Sequence, residues 1–165
     1  MKGKIAIITI SWLMVLLTMI MIFNFSSENA VQSTKTSENV VVQVLDIVMD
    51  KEDITPPVIK KYQFPIRKAA HFGIYMLLGF CMISAFEKSF KLKLWLNSVL
   101  SVLACVIYAI SDEFHQNFSS GRGPQVRDVL IDSAGALVGT LVFLGLFFLY
   151  FKVILPKINA KNNIK

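Results

Sequence analysis

Four long apolar runs divide the chain: about Ile5–Phe25, Ala69–Phe86, Leu94–Ser111 and Val129–Phe151. Each is close to the roughly 20 residues that a helix needs to cross the hydrocarbon core of a bilayer. Backbone amides have no water to pair with there, so such a run must be helical. The pattern predicts an all-α polytopic membrane protein, with four transmembrane helices in a bundle. Residues 1–165 are expected to form a single domain.

The one long polar stretch, residues 28–66, reads as an outer loop. Thr34–Ser37 is turn-like. Glu38–Met49 then sets Val41, Val44, Leu45 and Val48 on one helical stripe. Ser37 suits its N-cap and Glu38 its first turn. A short amphipathic helix on the outer leaflet or on the bundle is expected, with a strand as the alternative because valine is frequent. Pro56, Pro57 and Pro65 are expected to break regular structure.

Polar positions inside the spans are not scattered. In span two, Arg67, His71 and Tyr75 are four residues apart and share a face, with Lys68 beside them at headgroup level. In span three, Ser101, Cys105, Tyr108, Asp112 and His115 follow steps of four and three, the spacing of an interior seam. In span four, Asp128, Asp132, Gly135 and Gly139 do the same, and Gly135-x-x-x-Gly139 allows a close helix approach. Asn24 and Ser27 end span one on a common face; they are either a plain polar end or a contribution to the cluster. Alternating topology puts all four polar ends on one side of the membrane. The densest part runs from Tyr108 to Gly139 and holds Glu113, Gln116, Arg122 and Arg127 as well. Buried carboxylates need partners, and Arg67, Arg122 and Arg127 are expected to pair with Asp112, Glu113, Asp128 and Asp132. The opposite ends carry mostly scattered lysines.

Composition agrees with this plan. Hydrophobic residues make up 55% and charged residues 17% of the chain, too little charge to cover a soluble surface of 165 residues. The net charge of +6 sits mostly beside one set of span ends. Lys2, Lys4, Lys88, Lys91, Lys93, Lys152, Lys157, Lys161 and Lys165 crowd the short segments on that side. Basic density therefore predicts that both termini are cytoplasmic. The charge then faces anionic lipid, and no nucleic-acid partner is required. Cys81 and Cys105 fall inside spans and are expected to be free, packed thiols. The first run exceeds a typical signal-peptide core, and no A-x-A site lies in Asn24–Ala30, so it is expected to be retained.

Three segments carry a family resemblance: RKAAHFGIY opening span two, YAISDEFHQNFSSGR closing span three, and QVRDVLIDSAGALVG opening span four. They resemble the VanZ-like family of small membrane proteins, named for a component of some glycopeptide-resistance clusters. Phe25-Ser26-Ser27 fits the polar ending of the family's first span. Two positions depart from the pattern: Ile74 where many relatives carry an acid, and Asp132 where many carry Asn. The resemblance implies a protein of the cell envelope that modulates sensitivity to glycopeptides of the teicoplanin type, which act outside the cell.

Two functions fit these residues. In the first, an outward polar cup binds an anionic lipid headgroup or the phosphate of a lipid-linked wall precursor through Arg67, Lys68, Tyr75, Gln116, Arg122 and Arg127. Guanidinium groups suit phosphate. In the second, a membrane-embedded hydrolase or transferase uses His71, Asp112, Glu113, His115, Asp128 and Asp132 as acids and bases, or as ligands of a divalent metal. No HExxH, G-x-S-x-G or P-loop is present to name a reaction. The reading leans to the non-enzymatic function, with membrane lipids as partners and no cofactor or metal. A purely structural ion-pair network and a proton-coupled transporter are weaker alternatives, the latter because the cluster is off the midplane.

Overall fold

The computed structural model describes residues 2–27, 30–116 and 125–156. These form five α-helices: α1 Lys2–Ser27, α2 Ala30–Val48, α3 Pro56–Ser89, α4 Leu94–Gln116 and α5 Val126–Leu149. A 3₁₀ turn, Lys51–Asp53, links α2 to α3, and a π-helical turn, Tyr150–Ile154, extends α5. No strand occurs among the described residues. Helices α1, α3, α4 and α5 with its extension are long and apolar enough to cross a membrane. Their outer faces leave Ile5, Leu13, Leu17, Leu103, Ile107, Leu130 and Leu141 half exposed or more. Apolar cover of that extent needs lipid against it.

The face that each helix turns inward is built from small and polar residues. In α1 the buried positions are Ser11, Val15, Thr18, Ile22 and Ser26, at steps of four, three, four and four. Ser11 and Thr18 donate to the carbonyls of Ile7 and Met14, one turn back. Ser101 in α4 and Thr140 in α5 do likewise. Such back-bonding satisfies a hydroxyl inside lipid without a second helix. In α4 the buried stripe is Asn97, Ser101, Cys105, Ala109, Asp112, Glu113 and Gln116. It turns further than the expected seam, so Tyr108 and His115 flank the core instead of filling it.

The central contact is α3 against α5. Added Cβ atoms at Gly79, Gly135 and Gly139 would overlap the carbonyls of Ala136, Phe72 and Met76, respectively. The two backbones therefore touch along three consecutive turns, which only glycine permits. Around this pair, Val15, Ile22, Tyr75, Leu78, Met82, Ala85, Cys105, Ala109 and Ala136 form one buried core. Cys81 and Cys105 are free and buried.

The stretch expected to be an outer loop is almost wholly helical. Helix α2 begins before the expected turn at Thr34–Ser37. Ser37 is not a cap; it lies inside the helix and donates to the Ser33 carbonyl. The docked stripe is Ser33, Val41 and Leu45, while Val44 and Val48 face outward. The prolines do not interrupt α3. Pro56 and Pro57 occupy its first turn, where no intrahelical N–H bond is lost. Pro65 lies within the helix and removes only one ladder bond. With 34 residues, α3 spans about 51 Å at 1.5 Å per residue, well beyond a core of about 30 Å. Its N-terminal third therefore projects outward, and α2 packs along it, with Gln63 Nε2 donating to the Thr34 carbonyl at 3.0 Å.

The lysine-bearing end is more ordered than scattered charge. Lys88 Nζ donates to Ser11 and Ser84, both at 3.0 Å. Trp12 Nε1 donates to Ser89 at 2.9 Å. Fully buried Asn97 donates to Glu87 at 2.7 Å. These bonds tie α1, α3 and α4 together at the end opposite the carboxylates.

Candidate functional site

Four helix ends supply the site. Helix α1 brings Ser26; α3 brings Lys68, His71 and Tyr75; α4 brings Asp112, Glu113, His115 and Gln116; α5 brings Asp128 and Asp132. Asp112, Glu113, Gln116 and Asp132 are 2–5% exposed, and Tyr75 and Ser26 even less. An enclosure with this many ionisable groups at the end of a membrane bundle is costly unless the groups serve something.

Lys68 Nζ is in contact with Asp128 Oδ2. His71 Nδ1 stands 3.7 Å from Asp132 Oδ1. Gln116 Nε2 reaches Asp112 Oδ2 at 3.5 Å, one turn along α4. The backbone N–H of Gln125, just before α5, donates to Glu113 Oε1, so that carboxylate closes the N-terminus of α5. Such charge-assisted bonds are the strong kind. Ser26 and Tyr75 face Asp112 as well. The His115 ring packs on Phe23, centroids 4.7 Å apart. Tyr108 donates to the Met19 carbonyl at 2.7 Å and so ties α4 to α1.

Six side-chain atoms in this enclosure are buried without a well-formed hydrogen bond among the described residues: Ser26 Oγ, Tyr75 Oη, Asp112 Oδ1, His115 Nδ1, Asp128 Oδ1 and Asp132 Oδ1. Of these, the Ser26 and Tyr75 hydroxyls face Asp112 closely enough to pair with it when no guest is present. Buried polar atoms are nearly always paired, with protein or with water. Donors and acceptors left over together in one place mark a space that a polar guest completes.

The arginines do not take the expected places. Lys68, and not an arginine, pairs with Asp128. Arg127 is exposed and lies over the Phe64 ring, 5.6 Å from its centroid, with Lys68 5.4 Å from the same ring. Arg67 turns toward a crevice between α1, α2 and α3. The reason is the helical repeat: Arg67 and His71 share a face, but Lys68 is the residue turned toward α5. Arg122 lies outside the described residues. Neither Asn24 nor Ser27 joins the cluster; Asn24 is exposed and Ser27 donates to the Phe23 carbonyl. Ser26 is the residue that enters, and the period of small residues along α1 was the available signal. Glu113's link to Gln125 had no signal in side-chain spacing, because its donor is backbone. No group of three or more His, Cys, Asp or Glu among the described residues is arranged to hold a metal ion.

Four long apolar helices enclosing a polar chamber at one end define a multi-pass membrane protein. The chain belongs to the VanZ/LLP1 family, whose model matches residues 11–150. Comparison with curated proteins and with solved structures gave no significant match.

Proposed function

We propose that this is a multi-pass protein of the cell membrane, with both termini cytoplasmic, whose outward enclosure binds the headgroup of a lipid or lipid-linked wall precursor. Through that binding it modulates sensitivity to teicoplanin-type glycopeptides. The observation that carries the reading is the set of unpartnered buried atoms around Asp112 and Asp132. A headgroup offers hydroxyl or ammonium donors to the free carboxylate oxygens and an acceptor to Tyr75 and Ser26. Its phosphate belongs at the rim with Arg67, Lys68 and Arg127. Deeper in, four carboxylates face only Lys68, His71 and His115 among the described basic groups, so a bare phosphate is disfavoured there.

Mass spectrometry of the protein purified with its native lipids tests this. A lipid should stay bound to the wild type. Its occupancy should fall about tenfold in Asp112→Asn, the loss expected from one charge-assisted bond of about 1.5 kcal/mol. Equal occupancy in a folded variant would sink the proposal. The His71–Asp132 pair favours a second reading, in which His71 acts as a base on the bound headgroup. That reading requires His71→Gln to keep the lipid while the wild type alone changes its mass with time.

A further inference from the structure

A crevice of about 160 Å³ opens between α1, α2 and α3, separate in lining from the carboxylate chamber except at His71. Its walls include Ile22, Phe25, Val40, Ile66 and Ile74, and Arg67 stands among them. Arg67 is half-buried, and among the described residues it makes no ion pair, hydrogen bond or ring contact. The 22 residue steps from Arg67 to Ser89, the end of α3, rise about 33 Å. Arg67 thus sits one hydrocarbon thickness from the other end of its helix, at headgroup depth. An apolar cavity of about 150 Å³ takes a guest the size of benzene, so this one holds a chain segment of comparable bulk.

We propose that this crevice seats one acyl chain of an anionic lipid whose acidic head lies on Arg67. Charge complementarity selects the occupant. A half-buried guanidinium with no carboxylate partner among the described residues, set beside a mainly apolar slot at headgroup depth, matches an acid joined to a hydrocarbon chain. Neither a neutral lipid nor a soluble anion meets both halves. The assignment rests on the headgroup reading above and specifies it. The chain enters beside α2, the head is held at Arg67, and the remainder of the head reaches past His71 toward Asp132. His71 lines the crevice and also stands 3.7 Å from Asp132, which makes it the contact between the two spaces.

The test uses the full-length protein in nanodiscs of phosphatidylcholine doped with phosphatidylglycerol of the same chain length, with retained lipid read by native mass spectrometry. Wild type should retain phosphatidylglycerol about tenfold over phosphatidylcholine, the value of one hydrogen-bonded charge pair. Arg67→Gln should erase that preference. Ala70→Phe, at an exposed position that fills the crevice, should lower retention of both lipids. Glycerol phosphate, the same acid without chains, should not displace the lipid. Displacement by glycerol phosphate would overturn the chain assignment, as would unchanged retention in Ala70→Phe. A preference that survives in Arg67→Gln would overturn the role of Arg67. Asp112→Asn separates the two readings. Loss with Asp112→Asn but not with Ala70→Phe leaves the chamber and removes the crevice; the reverse leaves the crevice and removes the chamber.

Discussion

At the residue scale, the bundle depends on three glycines more than on any large side chain. Gly79, Gly135 and Gly139 meet backbone, and backbone cannot move aside as a flexible side chain would. Gly73 lies in the same helix as Gly79, yet a Cβ there would meet nothing within 4 Å. Gly139→Ala should therefore destabilise by about 1–3 kcal/mol through overpacking. Gly73→Ala should be neutral or gain up to about 1 kcal/mol from helix propensity. Thermal unfolding in detergent measures both, and equal shifts would show that α3 and α5 do not pack backbone to backbone. Gly135 and Gly139 could be read from their spacing, whereas Gly79 has no small residue at i±4 in α3 and is recognisable only once α5 lies against it. The ionic partners were harder still to foresee. Arg67 and Lys68 are adjacent in sequence and about 100° apart on the helix, so which one meets Asp128 is set by the rotation of α3. On the α3 side of that contact, Gly79 is the position whose backbone meets α5.

At the scale of the elements, the four spans were legible because lipid imposes one rule on each of them: about 20 apolar residues in helical form. Residues 28–66 obey no such rule. Their valines and prolines read as breaks in isolation, but prolines in a first turn are compatible with a helix. An isolated helix with mixed faces is marginal in water, and α2 gains its stability from packing on the projecting third of α3. Val41 and Leu45 are 0% and 4% exposed there, while Ile47 is 83% exposed. Val41→Asp should cost the burial of one valine, about 1.5–3 kcal/mol, and release α2 while the four spans stay assembled. Ser33→Cys, on the buried docked face of α2, reports this in a background lacking Cys81 and Cys105. An impermeant thiol reagent on intact cells should label it weakly alone and strongly together with Val41→Asp, and should leave Lys91→Cys unlabelled. Labelling of Lys91→Cys instead would invert the proposed orientation.

At the scale of the whole molecule, the two ends of the bundle differ in kind. One end is tied by bonds from Lys88 to Ser11, from Trp12 to Ser89 and from Asn97 to the Glu87 carboxylate, with only Asn97 Oδ1 left over among its described buried atoms. The other leaves carboxylate oxygens and hydroxyls unanswered. The first resembles a clasp and the second a receptacle, and the proposed orientation sets the receptacle in the outer leaflet, on the side where glycopeptides act. A glycopeptide with an acyl chain also holds to that leaflet, by about 0.8 kcal/mol for each buried methylene. Occupancy of the receptacle that denied it two methylenes would cost about 1.6 kcal/mol, more than about tenfold in surface affinity. A glycopeptide without a chain has no such anchoring to lose. Expression of the wild type should therefore raise the inhibitory concentration of a teicoplanin-type drug more than that of a vancomycin-type drug, with the precursor peptide unchanged. Asp112→Asn, matched for protein level, should lose most of the difference. Equal shifts for the two drugs would remove the anchoring argument, and a full shift with Asp112→Asn would place the effect outside the carboxylate chamber. If Asp112→Asn loses the shift but keeps its bound lipid, the carboxylate acts on the lipid after it is seated, as the His71–Asp132 pair would require.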